Sequence, residues 1–450
     1  MHYMQASSPF IIVLALSAGT GLIVLLSARY KMHPFFSLLT ACFVTGWLGG
    51  LEPEALLTVM KEGFGKIMSS LGFIIAVGTA LGMVLQVNGA TTAMANAIIR
   101  RVGNKRSILA MSLTGFIVGL PIFCDSGYVV LNGLNQSMTR KTGMGVAAMS
   151  TAMATGLYVV HCFIPPHPGI TAAVGTLNAS FGKIIVYGFL VAVPVMLTGY
   201  YWAVRAGKKI PQTDTAADTV MEQATGNKPL PRALPAFIPV IVPVLLIALR
   251  ALAAGFSFWG NEIIEQLLVI GDPAVALVIG LILALCISPK WKPGELGKLI
   301  HHGLEKAGGI LVIIGAGGAF GMVINALKIQ DYLAKTEGLH ALGLFFPFLV
   351  AVILKTAQGS STVAVLTAAS IVLPFLPGLH LDGENGRVIA VLAMGAGSMA
   401  VSHVNDAYFW VITNFSGQEL KQVLRVYSMA TVFMAVVGIL SVYLLSLMIL

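Results

Sequence analysis

Histidine, aspartate and hydroxyl side chains gather at four places where long apolar stretches of this 450-residue chain are interrupted. His161 and His167 bracket Phe163-Ile164-Pro165-Pro166, and His403 precedes Asn405 and Asp406. An ionisable side chain at membrane depth costs roughly 2.5–3.5 kcal/mol on insertion scales, so it is usually kept for transport or catalysis. Histidine titrates near neutral pH, which suits proton transfer, although a membrane histidine also serves as a plain interhelical hydrogen bonder. The Pro-Pro pair removes backbone donors and frees carbonyls to face a solute. Asn405 and Asp406 offer an amide and a carboxylate in a stretch expected to be unwound, for binding or for capping.

The other two interruptions read as hairpin tips. In Pro121-Ile122-Phe123-Cys124-Asp125-Ser126-Gly127, proline and glycine permit a tight reversal whose exposed amides favour an anion. Asp125 is the sole acid between Lys66 and Asp214 and falls at membrane depth. It reads as a proton acceptor or a hydroxyl ligand, with a helix cap as the competing role. In Lys355-Thr356-Ala357-Gln358-Gly359-Ser360-Ser361-Thr362, small donors are dense enough to suit a polyhydroxylated solute. The helix leaving that tip points its positive end at a carboxylate, and Lys355 either adds a counter-charge or snorkels to water.

These groups need apolar helices to hold them. The chain is 57% hydrophobic and 10% charged, against about 25% charged in a soluble domain, with mean hydropathy +0.88. A polytopic all-α membrane protein follows. The net charge of +9 does not indicate nucleic acid, because the basic residues sit in short loops where they set orientation. Forty-nine glycines fit close helix packing. The four cysteines lie apart with no CxxC, so neither disulfide nor zinc is expected. There is no HExxH and no GxxxxGK[ST], which leaves metal, cofactor and ATP-driven pumping without a motif. Residues 9–28 read as a retained first helix, not a signal peptide.

Ten spans are expected, near 9–28, 34–50, 67–88, 146–164, 182–204, 233–254, 273–289, 307–327, 387–415 and 427–449. Two re-entrant hairpins, 107–139 and 340–378, complete the set. Basic clusters from Arg29/Lys31 to Lys421/Arg425 then all face the cytoplasm, and acid-bearing loops face outward. The first hairpin enters from the cytoplasmic side and the second from outside. Gly78-Thr79-Ala80-Leu81-Gly82-Met83-Val84 matches Gly317-Gly318-Ala319-Phe320-Gly321-Met322-Val323 at an offset of 239 (321 − 82). Residues 1–205 and 232–450 therefore read as two inverted repeats joined by a cytoplasmic linker, 206–231. The Gly315–Gly318 run reads as close helix packing.

The strings IFCDSG (122–127), VHCFIPPHPG (160–169), GAGGAFGMV (315–323), TAQGSSTVAV (356–365) and SHVNDAYFW (402–410) resemble the gluconate:proton symporter family nearly end to end. The resemblance implies import of gluconate or a related sugar acid with protons, with one branch carrying D-serine. It also implies paired hairpins, inverted repeats and a homodimer, in a bacterial inner membrane. Sodium-coupled members of the larger group carry Ser-Asn-Thr at their tips; the Asp-Ser-Gly and Gly-Ser-Ser-Thr found here favour proton coupling. The expected proton-coupling set is Asp125, His161, His167, His403 and Asp406. The expected substrate set is Ser126, Gly127, Lys355, Gln358, Gly359, Ser360, Ser361, Thr362 and Asn405. The competing readings are a passive anion channel and an intramembrane hydrolase with an Asp125–Asp406 dyad.

Overall fold

A computed structural model describes residues 9–207, 230–253, 269–287, 294–328, 342–403 and 406–450. Within them, helices occupy all ten expected spans and both hairpins. The order is α1 Pro9–Val24, α2 Pro34–Leu48, α3 Pro53–Val87, α4 Ala90–Val102, α5 Ser107–Val118, α6 Cys124–Thr142, α7 Val146–Phe163, α8 Pro168–Leu177 and α9 Phe181–Gly207. Then follow α10 Ala233–Ala253, α11 Pro273–Ile287, α12 Glu295–Ala326, α13 Phe345–Gln358, α14 Ser361–Val372, α15 Glu384–Ser398, α16 Ala407–Ser416 and α17 Leu420–Ile449. Most of the expected linker and of the loop 255–272 lie outside the described residues, as does Asn405.

Local sequence fixes the ends of these helices. α1, α2, α3, α8 and α11 open on proline, which needs no N–H at the first helical position. Ser360 Oγ accepts from Val363 N to cap α14, and Asp406 Oδ1 accepts from Tyr408 N to cap α16. Gly359 ends α13 at φ +80°, the left-handed turn that lets the chain reverse directly into α14.

Six described helices are long and apolar enough to cross a membrane by length and composition, and of these α9, α10 and α17 bury less than half of their apolar stretch. Exposed Leu444, Leu447 and Met448 on α17 have no aqueous rationale and suit contact with lipid. α7 lies at the opposite extreme: Ala147 through Phe163 are all buried.

Two features differ from the spans read in the sequence. α3 starts at Pro53 and α12 at Glu295, about three to four turns before the apolar stretches begin. Their first turns carry Lys61, Glu62 and Lys66, or Lys298 and Glu305, which hide them from an apolar window. α4, an amphipathic helix between Gly89 and Gly103, was not among the expected elements.

The long helices α3 and α12 cross at Gly63 and Gly318. A Cβ on Gly63 would lie 2.5 Å from the Gly318 carbonyl, and one on Gly318 would lie 2.7 Å from the Gly63 carbonyl. The same run meets Phe64 at Gly315 and Leu366 at Gly317, which is the packing role expected of it. Element spacing repeats the sequence offset. α8 and α16 are both ten residues long and start 239 apart (407 − 168); α9 and α17 also start 239 apart (420 − 181), and α3 and α12 end 239 apart (326 − 87).

Candidate functional site

The four interruptions meet. Tip one, between α5 and α6, touches the first break, between α7 and α8: the Gly119 carbonyl accepts from His167 Nε2 at 2.9 Å, and the Phe123 ring lies 6.4 Å from the His167 ring. The first break touches tip two, between α13 and α14. His161 Nε2 is 3.2 Å from Thr362 Oγ1, and a Cβ on Gly169 would stand 2.9 Å from Thr362 Cα. Tip two touches the second break, between α15 and α16, through Lys355 and Asp406 and through His403 Nε2, 3.3 Å from the Thr356 carbonyl. The ring closes where α16 returns to α6. Tyr128 and Tyr408 meet edge to face at 6.2 Å, and Asn132 Nδ2 donates to the Phe415 carbonyl at 2.9 Å.

Small residues make these approaches possible. Gly169, directly after Pro168, brings the start of α8 against the start of α14, so two helix N-termini open toward the same region. Gly78 and Gly82 of α3 let the Pro121 carbonyl and Pro166 lie on that helix. Between them is a small cleft with Thr79, Gln86, Ser126 and His167 in its wall. Farther along α14, Ser370 Oγ donates to the Gly317 carbonyl of α12 at 2.7 Å.

Charge is concentrated on one pair. Lys355 Nζ lies 2.6 Å from Asp406 Oδ2, and Lys355 is wholly buried. The ammonium also donates to the Gly359 carbonyl, and it lies 5.9 Å from the centre of the Tyr158 ring, a cation–π distance. Ser402 Oγ donates to the same carboxylate oxygen. Snorkelling is therefore not what Lys355 does here.

His161 stacks on Tyr158 with centroids 6.3 Å apart and stands 5.1 Å from the His167 ring. Its Nδ1 is buried without a hydrogen-bond partner among the described residues. Both polar atoms of the Gln358 side chain are in the same condition, one turn beyond Lys355. Unpaired buried polar atoms are costly, so a ligand or water suits these positions. Asp125 sits half-buried in the first turn of α6, where the N-cap position belongs to Phe123; its Oδ1 accepts from Cys124 Sγ at 3.5 Å. Ser126 and Gly127 follow in that turn, and Ser361 starts α14.

Sequence reasoning missed the aromatic wall. Tyr158, Tyr408 and Tyr427 are buried with ring centroids 5.6–6.4 Å apart. The available signal was position: tyrosine in a membrane helix normally sits near an interface, whereas these fall in mid-helix or beside a break.

A family model described as GntP family permease matches residues 10–448. A gluconate permease of Pseudomonas aeruginosa is 31% identical, covering 97% of this chain and 98% of its own length. A high-affinity gluconate transporter of Escherichia coli is 30% identical over 98% of this chain and 100% of its own, and the D-serine transporter DsdX from the same species is 30% identical over 97% and 98%. Among solved structures, the YdaH transporter of Alcanivorax borkumensis superposes with a TM-score of 0.64 at 16% identity, over 93% of this chain and 99% of that one, which is a likeness of fold.

Proposed function

The chain belongs to the GntP permease family, and we propose that it imports gluconate or a closely related sugar acid by proton symport across a bacterial inner membrane. The observation that carries this reading is the ring of four polar interruptions around a buried ammonium. A sugar acid needs one cation for its carboxylate and several hydroxyl or amide partners for its chain. Lys355 supplies the first; Gln358, Ser360, Ser361 and Thr362, with Ser126 from tip one, supply the second.

Energetics favours a coupling ion. A monoanion entering alone against an inside-negative potential loses about 2.3 kcal/mol per 100 mV, and one accompanying proton removes that opposition. Asp125, His161, His167, His403 and Asp406 are the groups from which the carrier of that proton comes. The constant offset of 239 supports two repeats, 1–205 and 232–450, threaded in opposite senses, with the hairpins entering from opposite faces. Alternating access then moves the hairpins and broken helices against the α3–α12 scaffold.

D-serine is the alternative cargo, favoured by the equally similar DsdX relative. Everted and right-side-out vesicles loaded with radiolabelled gluconate separate the readings, using idonate, fructuronate, glycerate and D-serine as competitors. Gluconate accumulation that collapses with a proton ionophore is the expected result. Accumulation of D-serine in preference to every sugar acid overturns the cargo, and ionophore-insensitive equilibration points to a channel.

A further inference from the structure

Lys355 and Asp406 are enclosed together between tip two and the second break, with side chains 0% and 7% exposed. One carboxylate oxygen, Oδ2, receives both Lys355 Nζ and Ser402 Oγ, while the other caps α16. From this geometry we infer that Lys355 is the counter-charge for the substrate carboxylate, and that Asp406 occupies its place only until a proton and the substrate arrive together. The inference rests on the symport reading above and deepens it.

The reason is conservation of charge in surroundings that solvate it poorly. A buried ammonium left without an anion is strongly disfavoured. A proton that goes onto Asp406 Oδ2 without substrate creates that state. A substrate carboxylate that enters without a proton sets two anions on one cation. Both events together leave the enclosure at its starting charge: the proton sits on Oδ2, and the substrate carboxylate stands against Nζ. At the inner face the substrate departs, the proton passes to water, and Asp406 returns to Lys355. Each ligand is thereby a condition for the other, which is coupling in its thermodynamic sense. One proton then accompanies each monoanion.

Two surroundings fit this exchange. A second Lys355 donor holds the Gly359 carbonyl at the turn of the hairpin, so a change of anion is felt at tip two. Gln358, with both amide atoms unpartnered among the described residues, stands one turn away to meet a substrate hydroxyl. Around the pair, α7 contributes Tyr158, His161 and Cys162, α6 contributes Cys124, whose thiol also meets Asp125, and α17 contributes Tyr427. His403 and Tyr408 flank Asp406 in its own segment. His161, His403 and Asp125 also change charge with pH as residue types, so the test must separate Asp406 from them.

The test uses full-length protein in proteoliposomes with radiolabelled gluconate. In the wild type, the KM for gluconate is expected to rise by about tenfold per pH unit on the alkaline side, as one obligatory proton becomes limiting. Asp406→Asn mimics the protonated acid and keeps the Oδ1 cap. It is expected to abolish accumulation driven by a pH gradient, while the KM of its residual equilibrium exchange no longer follows pH. A D406N protein that still accumulates gluconate, or keeps the wild-type KM profile, overturns the inference. Ser402→Ala gives a second reading that does not depend on D406N folding. Losing a donor to Oδ2 weakens the charged carboxylate, so the KM profile shifts to higher pH by several tenths of a unit. An unmoved profile overturns the inference, because Ser402 Oγ hydrogen-bonds Asp406 and, among the described residues, no histidine. Wild-type protein that moves no gluconate at all overturns the symport reading itself and the inference with it.

Discussion

His167 and Asp406 lie 239 residues apart (406 − 167), and each stands immediately before a ten-residue helix that resumes after a break. Each is also tied to the carbonyl that ends the first arm of its hairpin. His167 Nε2 donates directly to the Gly119 carbonyl at 2.9 Å; Asp406 reaches the Gly359 carbonyl through Lys355. The residue before the resuming helix thus makes a single hydrogen bond at the first break and a charge pair at the second. The charge-bearing version lies where the proposed anion site is, and the other version ties tip one to the wall beside the cleft.

His167→Phe tests the first tie. An aromatic ring is kept, but the buried Gly119 carbonyl loses its donor. Leaving a buried acceptor unsatisfied costs about 1–3 kcal/mol. A lower unfolding temperature in detergent, with correctly inserted protein, is the expected result. An unchanged midpoint means that this hydrogen bond does not hold tip one.

Lys355→Met tests the second. It leaves Asp406 buried without its cation, a loss of roughly 3–5 kcal/mol for a broken buried pair. The double change Lys355→Met with Asp406→Leu is expected to recover most of that stability, since matched apolar residues replace buried pairs well. Gluconate uptake should stay absent in both variants. Recovered uptake in the double variant removes the pair from the transport cycle.

The sequence carried much of this arrangement because membranes make polar residues conspicuous. Each interruption stood out against an apolar background, and the placement of Pro121, Gly359 and the Pro165-Pro166 pair marked where helices stop. The offset of 239 was legible in one glycine-rich string and reappears in helix boundaries up to Leu420. What the string of letters did not reveal was pairing. Lys355 and Asp406 are 51 residues apart, and either reads equally well as solvated, snorkelled or capped until the chain is folded. The starts of α3 and α12 were hidden because their charges imitate a loop. Tyr158 was hidden because its mid-helix position was the sole signal, and one aromatic residue there reads as packing.

Gly169→Val addresses how the first break and tip two fit together. A Cβ there meets Thr362 Cα at 2.9 Å, and backbone cannot swing away as a side chain does. Overpacking of this kind costs about 1–3 kcal/mol, and it also pushes the two helix N-termini apart. Gluconate uptake is expected to fall at least tenfold, with Gly169→Ala intermediate. Wild-type uptake by the valine variant shows that the two starts need not stay close during transport.

The contact between His161 and Thr362 separates a binding wall from mere packing. Their side chains meet at 3.2 Å across 201 residues of sequence and join α7 directly to tip two. His161→Ala and Thr362→Val each remove one partner, and the double variant removes both. If the bond positions tip two for substrate, the effects on gluconate KM are non-additive, with a coupling of about 0.5–3 kcal/mol. The sign is also set: once His161 is gone, Thr362→Val should do little further harm, because its hydroxyl has already lost its protein partner. If instead Thr362 meets a substrate hydroxyl without help from His161, the two losses add. Uptake measured across the cycle at one pH distinguishes these outcomes, and strict additivity would take the histidine out of the substrate site and leave it as a ring stacked on Tyr158.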